Sequence, residues 1–322
     1  MRYRRSAAAA AAVLTVAVAL TGCESTTALE QEYSSTQLVV GSGASAESRI
    51  VATIYAEALR GTGIEVSTDL GVGDRFDYVR ALESGRVSVV PDDTASLLAF
   101  FERSNAENVR NAAPDAEKSG GDTAATSDEP GAVGAVEEAL SRALPQYLRV
   151  SDAALAERGQ RLIVDDSTAS KWGLHSVSDL AAHCADTDAS LVAGLVSDAQ
   201  VRAALADSYR CTFAAVDVVG DPADAADAVS QGRSAVGGVT TLSPAASMDG
   251  FTTLEDDRET LPTGNIVPLY RAGSIGDRQV EALNNVAGEL TTDDLAAMVR
   301  RVEVDGRPVA DVVGDWRAQH GV

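Results

Sequence analysis

The segment with the clearest chemical potential is Gly41-Ser42-Gly43-Ala44-Ser45-Ala46, which lies between a short apolar run and an amphipathic stretch. Read as G-x-G-x-x-A, it fits the glycine pattern that brings a helix N-terminus against a pyrophosphate, with Asp69 placed to hold a ribose hydroxyl. Glu47 opposes that reading, because it puts a carboxylate in the first helical turn where the phosphate would sit. The more general inference is that small residues here, Ser42 and Gly43 among them, let backbone N–H groups approach a polar or anionic group closely. The only histidines are His175, His183 and His320, and His183 beside Cys184 lacks zinc-ligand spacing, so neither a metal nor another cofactor is expected. No Ser/His/Asp, Cys/His or paired-carboxylate arrangement stands out, so the chain is not expected to be an enzyme.

Short apolar runs alternating with amphipathic stretches must position these residues. QLVV at 37–40 reads as a buried strand, and Ser45 caps a helix whose apolar face is Ile50, Val51, Ile54, Tyr55, Ala58 and Leu59. Strands are expected next at 64–66 and 87–90, with helices at 76–82 and 94–103. This βαβαβα order predicts a parallel sheet flanked by helices. Residues 105–134 are rich in Ala, Asp, Glu, Ser, Gly and Pro and read as an acidic flexible loop. Helices are then predicted at 136–144, 176–183, 198–209, 222–231, 277–290, 292–302 and 308–319, and strands at 161–165, 190–194, 214–219, 234–241, 251–254 and 265–270. That is too many βα units for one modest sheet, so two sheets with a ligand cleft between them are expected.

The 322 residues carry 48 acidic against 26 basic side chains, a formal charge of −22, which excludes a field suited to nucleic acid. Residues 1–22 read as a secretory leader, with Arg2, Arg4 and Arg5 before an apolar stretch at 7–20. Leu20-Thr21-Gly22-Cys23 resembles the lipobox of bacterial lipoproteins. That resemblance implies cleavage before Cys23, acylation of its sulfur and attachment to the outer face of the cell membrane, with 23–35 as a tether. An ordinary signal peptide with an incidental cysteine is the alternative. In an exported chain, Cys184 and Cys211 are either a disulfide or a pair of buried thiols.

Longer runs resemble the substrate-binding proteins of ABC transporters for glycine betaine, choline and related osmoprotectants. They are Val40-Gly41-Ser42-Gly43 through Glu47, Leu70-Gly71-Val72-Gly73-Asp74-Arg75, Ala81-Leu82-Glu83-Ser84-Gly85, Val89-Val90-Pro91-Asp92-Asp93-Thr94, and Asn265-Ile266-Val267-Pro268. The resemblance implies an α/β, two-lobed periplasmic-binding-protein-like fold of type II, each lobe a mostly parallel sheet flanked by helices, with two hinge crossings. One lobe would comprise 36–158 plus 245–322 and the other 159–244. It further implies capture of a small solute, quaternary or protonated amine, and delivery to an ABC permease and its ATPase. An envelope lipoprotein that senses or binds partners on the same fold is the alternative.

The family's motifs also assign the candidate ligand contacts Ser42, Gly43, Asp93, Thr94, Thr241 and Asn265. Two departures concern the aromatic faces that a quaternary ammonium needs. Asp93 stands where the family has a tyrosine, and Gly264 where it has a second aromatic. Asp93 either pairs with a cationic solute or caps the helix at Thr94. Asn265 is either a cleft residue or a turn residue. Arg75 either binds a carboxylate or lies exposed beside Asp74 and Asp77.

Overall fold

The computed structural model describes residues 37–112, 132–192, 195–196 and 199–322. The leader, Cys23 and the tether lie outside them, as do residues 113–131 of the expected acidic loop.

The chain begins as three βα units: β1 (Leu38–Gly43), α1 (Ala46–Gly61), β2 (Val66–Gly73), α2 (Arg75–Glu83), β3 (Val89–Asp93) and α3 (Thr94–Ala112). Ser45 does cap α1, accepting the Ser48 N–H at 3.2 Å, and Asp74 and Asp77 close a capping box at the start of α2. The apolar stripe of α1 buries Ile50, Ile54, Tyr55 and Leu59, each side chain contributing roughly 1.5–3 kcal/mol. α3 continues through residues 105–112, where a loop was expected. Ala, Glu and Arg support a helix without an apolar stripe, and Asn105 donates to the Ala143 carbonyl at 3.1 Å, tying α3 to α4 (Ala132–Ala143).

The remaining elements are β4 (Leu148–Val150), β5 (Glu157–Asp165), α5 (Asp166–Trp172), α6 (Val177–Leu180), β6 (Asp188–Val192), α7 (Ala199–Ala203), β7 (Ala215–Val219), α8 (Pro222–Ser230), β8 (Val236–Thr240), β9 (Phe251–Leu254), β10 (Thr263–Arg271), α9 (Asp277–Glu289), α10 (Thr292–Glu303) and α11 (Val309–His320). β4 and α5 escape the sequence patterns. β4 has three residues, and α5 buries only Ala169 while owing its ends to the Asp165 cap and to Gly173 at φ 68°.

The strands form one continuous curled sheet in the order β2-β1-β3-β10-β5-β8-β6-β7, with β4 on β10 and β9 on β5. Parallel pairing links β1 with β2 and β3, and β6 with β7 and β8. Antiparallel pairing is confined to the strands that join these trios. β10 runs against β3 from Ile266↔Asp93 to Tyr270↔Val89, and its first residues, Thr263–Asn265, pair with Glu157–Gly159 of β5. β5 then pairs with β8 and β9. The chain therefore crosses between the trios twice, outward along β5 and back along β10, and this short antiparallel seam makes one sheet where two separate ones were expected.

The cores follow the same division. Ile50, Tyr55, Leu283, Leu295 and Trp316 pack on the first array beside a second cluster of Leu82, Val90, Leu97, Phe101 and Leu269. Leu162, Leu180, Leu191, Tyr209 and Leu254 fill the other, with Ile163, Ala225 and Val239 on its opposite face. β9 and Leu261 lie with the second array, past residue 244.

Cys184 and Cys211 are joined by a disulfide across 27 residues, their Cα atoms 5.3 Å apart. Replacing both by serine should cost roughly 3–4 kcal/mol by loop-entropy reasoning. Urea unfolding of the variant and of the oxidised parent measures it; equal midpoints would contradict a stabilising role.

Candidate ligand-binding cleft

The two arrays enclose a cleft of about 560 Å³. The first supplies the start of α1 from Gly43 to Ser48, the β2–α2 corner at Gly73–Arg75, and Pro91 and Asp92 at the end of β3. The second supplies Val192, Gly220–Pro222 and Thr240. Arg158 and Gln160 enter from the crossing strand β5, and Val299 and Glu303 from α10.

Its floor is a buried ionic network. The Asp92 side chain is 2% exposed and accepts two hydrogen bonds from Arg75, at 2.8 and 2.7 Å. The Tyr78 hydroxyl donates to it at 2.5 Å and the Asp93 N–H at 2.9 Å. Burial pushes the Asp92 carboxyl up, but the charge and hydrogen bonds of Arg75 and the bond from Tyr78 outweigh it and hold the group below its usual range. Asp93 accepts the Ser96 N–H at 2.8 Å, capping α3, while its other oxygen faces Arg158 at 3.2 Å and Arg75 at 3.8 Å.

Arg158 also reaches Glu47, Nε to Oε2 3.6 Å. Burial pushes the Glu47 carboxyl above its ordinary value; Arg158 opposes this, and Asp93 and Asp92 reinforce it. Two guanidinium groups thus face three carboxylates. At the mouth, Asp221 caps α8 through the Asp224 N–H at 2.9 Å. Glu303 ends α10 there, its carboxyl raised by partial burial and then by Asp221 and Glu47. Among the described residues Tyr78 is the single aromatic lining the cleft.

The residues singled out in the sequence fall into two places. Gly43 lines the cleft. Ser42 lies behind it, fully buried, donating to the Gly43 carbonyl and accepting the Gly71 N–H, both at 2.8 Å. Thr94, Thr241 and Asn265 gather at the seam between the arrays. Thr94 Oγ1 accepts the Asn265 N–H at 3.1 Å, and Asn265 Nδ2 donates to the Ala154 carbonyl at 3.0 Å. Thr241 Oγ1 accepts the Gly159 N–H at 3.0 Å. Asp93 caps α3 and meets Arg158, so both of its anticipated bonding habits are used, the second with a protein cation. Arg75 is paired with Asp92 and not with Asp74 or Asp77, because its helix turns it inward at the end of β3.

Sequence spacing carries no signal for Arg158, Gln160, Asp221 and Glu303, since only the crossing strands and the second array bring them to Glu47. Gly264 has a steric reason. A Cβ there would stand 2.5 Å from the Ala95 nitrogen and 2.7 Å from Asp93 Oδ1. The start of α3 occupies the space that an aromatic side chain would need.

Three outcomes are expected. Asp92→Asn leaves Arg75 without its buried partner and should lower unfolding free energy by about 3 kcal/mol; loss of under 1 kcal/mol in urea titration would contradict the network. Gly264→Ala should cost roughly 1–3 kcal/mol by the same measurement. Glu47→Gln should leave Tm unchanged or raised at pH 7.5. With its carboxyl raised in the fold, the ionised form is disfavoured there, so the parent loses stability as pH rises through that value. Below the unfolded carboxyl pKa, about 4.3, both chains are neutral at this position and the difference should vanish. A difference that grows toward acid would reverse the assignment.

No curated protein sequence matches the chain. Among solved structures, a glycine betaine/carnitine/choline ABC transporter protein superposes with TM-score 0.64 at 14% identity, covering 88% of this chain and 99% of that one. Apo YehZ from Escherichia coli gives 0.58 at 19% identity, with 89% and 99% covered. An ABC-transporter choline binding protein in complex with choline gives 0.55 at 14% identity, with 88% and 89% covered. These likenesses establish the fold as that of type II periplasmic-binding proteins. The family model described as the substrate binding domain of ABC-type glycine betaine transport system matches residues 36–319. The chain belongs to that family of ABC-transporter substrate-binding proteins.

Proposed function

We propose that this chain is the solute receptor of an ABC importer, exported and held at the outer face of the cell membrane by lipid on Cys23, and that it works by closing on a small polar or cationic solute without chemical turnover. The observation that carries this reading is a cleft walled by both arrays, with β5 and β10 as the connections between them. A solute touching both walls favours the closed state by its differential affinity for closed over open.

The lobes are 36–158 and 245–322 against 159–244, with β9 and Leu261 travelling with the second and the return crossing made at Thr263. Solute meets Gly43, Glu47, Arg75 and Gln160 inside and Asp221 and Glu303 at the mouth. Ser42, Asp93 and Thr94 hold the first wall in shape, and Thr241 and Asn265 fix the crossing strands. Partners are the solute, a permease with its ATPase, and the membrane; no nucleic acid is involved.

A thermal-shift screen of amines, amino acids, betaines and sugars tests the reading. A true solute at a hundredfold over its Kd stabilises by about 2.7 kcal/mol, well within detection. The same solute, presented on the receptor, should stimulate ATP hydrolysis by the cognate permease in vesicles. A panel without any stabilising compound would contradict solute capture.

A further inference from the structure

We propose that the cleft selects an organic cation whose charge is carried on N–H donors, a primary ammonium or a guanidinium, and discriminates against a fully methylated ammonium. This deepens the solute-receptor reading and rests on it.

A quaternary ammonium has no N–H to donate and is held chiefly by aromatic faces. Among the described lining residues the single aromatic is Tyr78, and its hydroxyl is committed to Asp92 at 2.5 Å within the ionic floor. At the second place, Gly264, a Cβ would stand 2.5 Å from the Ala95 nitrogen and 2.7 Å from Asp93 Oδ1, so a ring does not fit there.

The walls offer acceptors instead. Glu47 comes from the first array, Asp221 from the second and Glu303 from α10, so a cation between them would meet carboxylates on both sides of the opening. Arg75 is bonded to Asp92, and Arg158, shared between Asp93 and Glu47, offsets Glu47 only in part; with Arg103 also lining the cleft, three arginines stand against five lining carboxylates, Glu47, Asp74, Asp92, Asp221 and Glu303. In the same cleft Gln160 Oε1 is buried from solvent and has no hydrogen-bond donor, and Arg158 Nε, 3.6 Å from Glu47, is buried without a hydrogen-bonded acceptor, so a ligand that brings both an N–H cation and an acceptor oxygen would satisfy the two. An unmet acceptor inside a cavity is costly unless an incoming group satisfies it, and a quaternary ammonium cannot. Among the described residues no three His, Cys, Asp or Glu side chains converge closely enough to hold a metal ion. The negative charge is spread over both walls, which suits an extended organic cation better than a point charge.

Isothermal titration calorimetry on the mature chain tests this with putrescine, agmatine, arginine and ethanolamine, each paired with its N-methylated counterpart, together with choline and glycine betaine. At least one N–H cation should bind saturably, and its fully methylated counterpart should bind about tenfold more weakly or worse, because charge-assisted hydrogen bonds are lost. Glu47→Gln and Gln160→Leu should each weaken that binding by about tenfold, with the fold of each variant checked by its thermal transition. Choline or glycine betaine binding as tightly as the best N–H cation would overturn the inference while leaving solute capture intact. So would saturable binding of a neutral solute with none by the N–H cations. Binding of an N–H cation unaffected in both variants would overturn the residues assigned. No binding by any compound, sugars and neutral amino acids included, would overturn the receptor reading as well.

Discussion

Everything around the cleft is organised by one carboxylate withdrawn from water. Asp92, at the end of β3, keeps its charge only because Arg75 grips both oxygens and Tyr78 donates from the same helix. Desolvating an ion pair is expensive, and such a pair is weak evidence for net stability. Its effect here is positional. With Arg75 spent on Asp92, Asp93 is left to cap α3 and to meet Arg158, and Arg158 in turn reaches Glu47. Four elements, α1, α2, the β3–α3 junction and the crossing strand β5, are thereby tied through charge as well as through packing.

Arg158 has a special place in this arrangement because of where it sits on the sheet. It lies within the three-residue seam that pairs β5 with β10, so the charge network of the first array ends on a strand that leads into the second. At the neighbouring Gly159 a Cβ would be 2.7 Å from Thr263 Oγ1 and 2.9 Å from an Arg161 nitrogen, so a side chain there would require both of these side chains to move. The seam is narrow, hydrogen-bonded through Thr241 and Asn265, and flanked by separate apolar cores.

Much of the fold is legible in the sequence because it is written in local periodicity. The cap at Ser45 and the apolar stripe from Ile50 to Leu59 foretell α1, and the short runs at 87–90, 161–165 and 265–270 mark strands that are present as β3, β5 and β10. Polar helices are harder: residues 105–112 have no apolar periodicity in sequence, and α5 depends on its terminal residues. Sheet continuity is not local at all, which is why β9 falls with a different array and two expected sheets are one. The cleft divides in the same way. Motif positions such as Ser42, Thr94, Thr241 and Asn265 stand out in the sequence, and their polar atoms are engaged in holding β1 against β2 and the crossing strands in register. Arg158, Gln160, Asp221 and Glu303 carry no motif, and they meet Glu47 only through tertiary topology. The departures at Asp93 and Gly264 stand in the sequence as substitutions, and geometry explains them: one is a cap paired with arginine, the other a close approach of backbone to helix.

As the proposed solute receptor, the chain would shut its two arrays, joined by β5 and β10, on the solute. The most direct measurement is the distance distribution between spin labels at Arg80 and Gln231, exposed positions on the first and second arrays, with the native disulfide left intact. A shift of that distribution to a single narrower population when saturating solute is added, reversed on its removal, is the predicted result. A distribution unchanged by a solute that demonstrably binds would contradict the account.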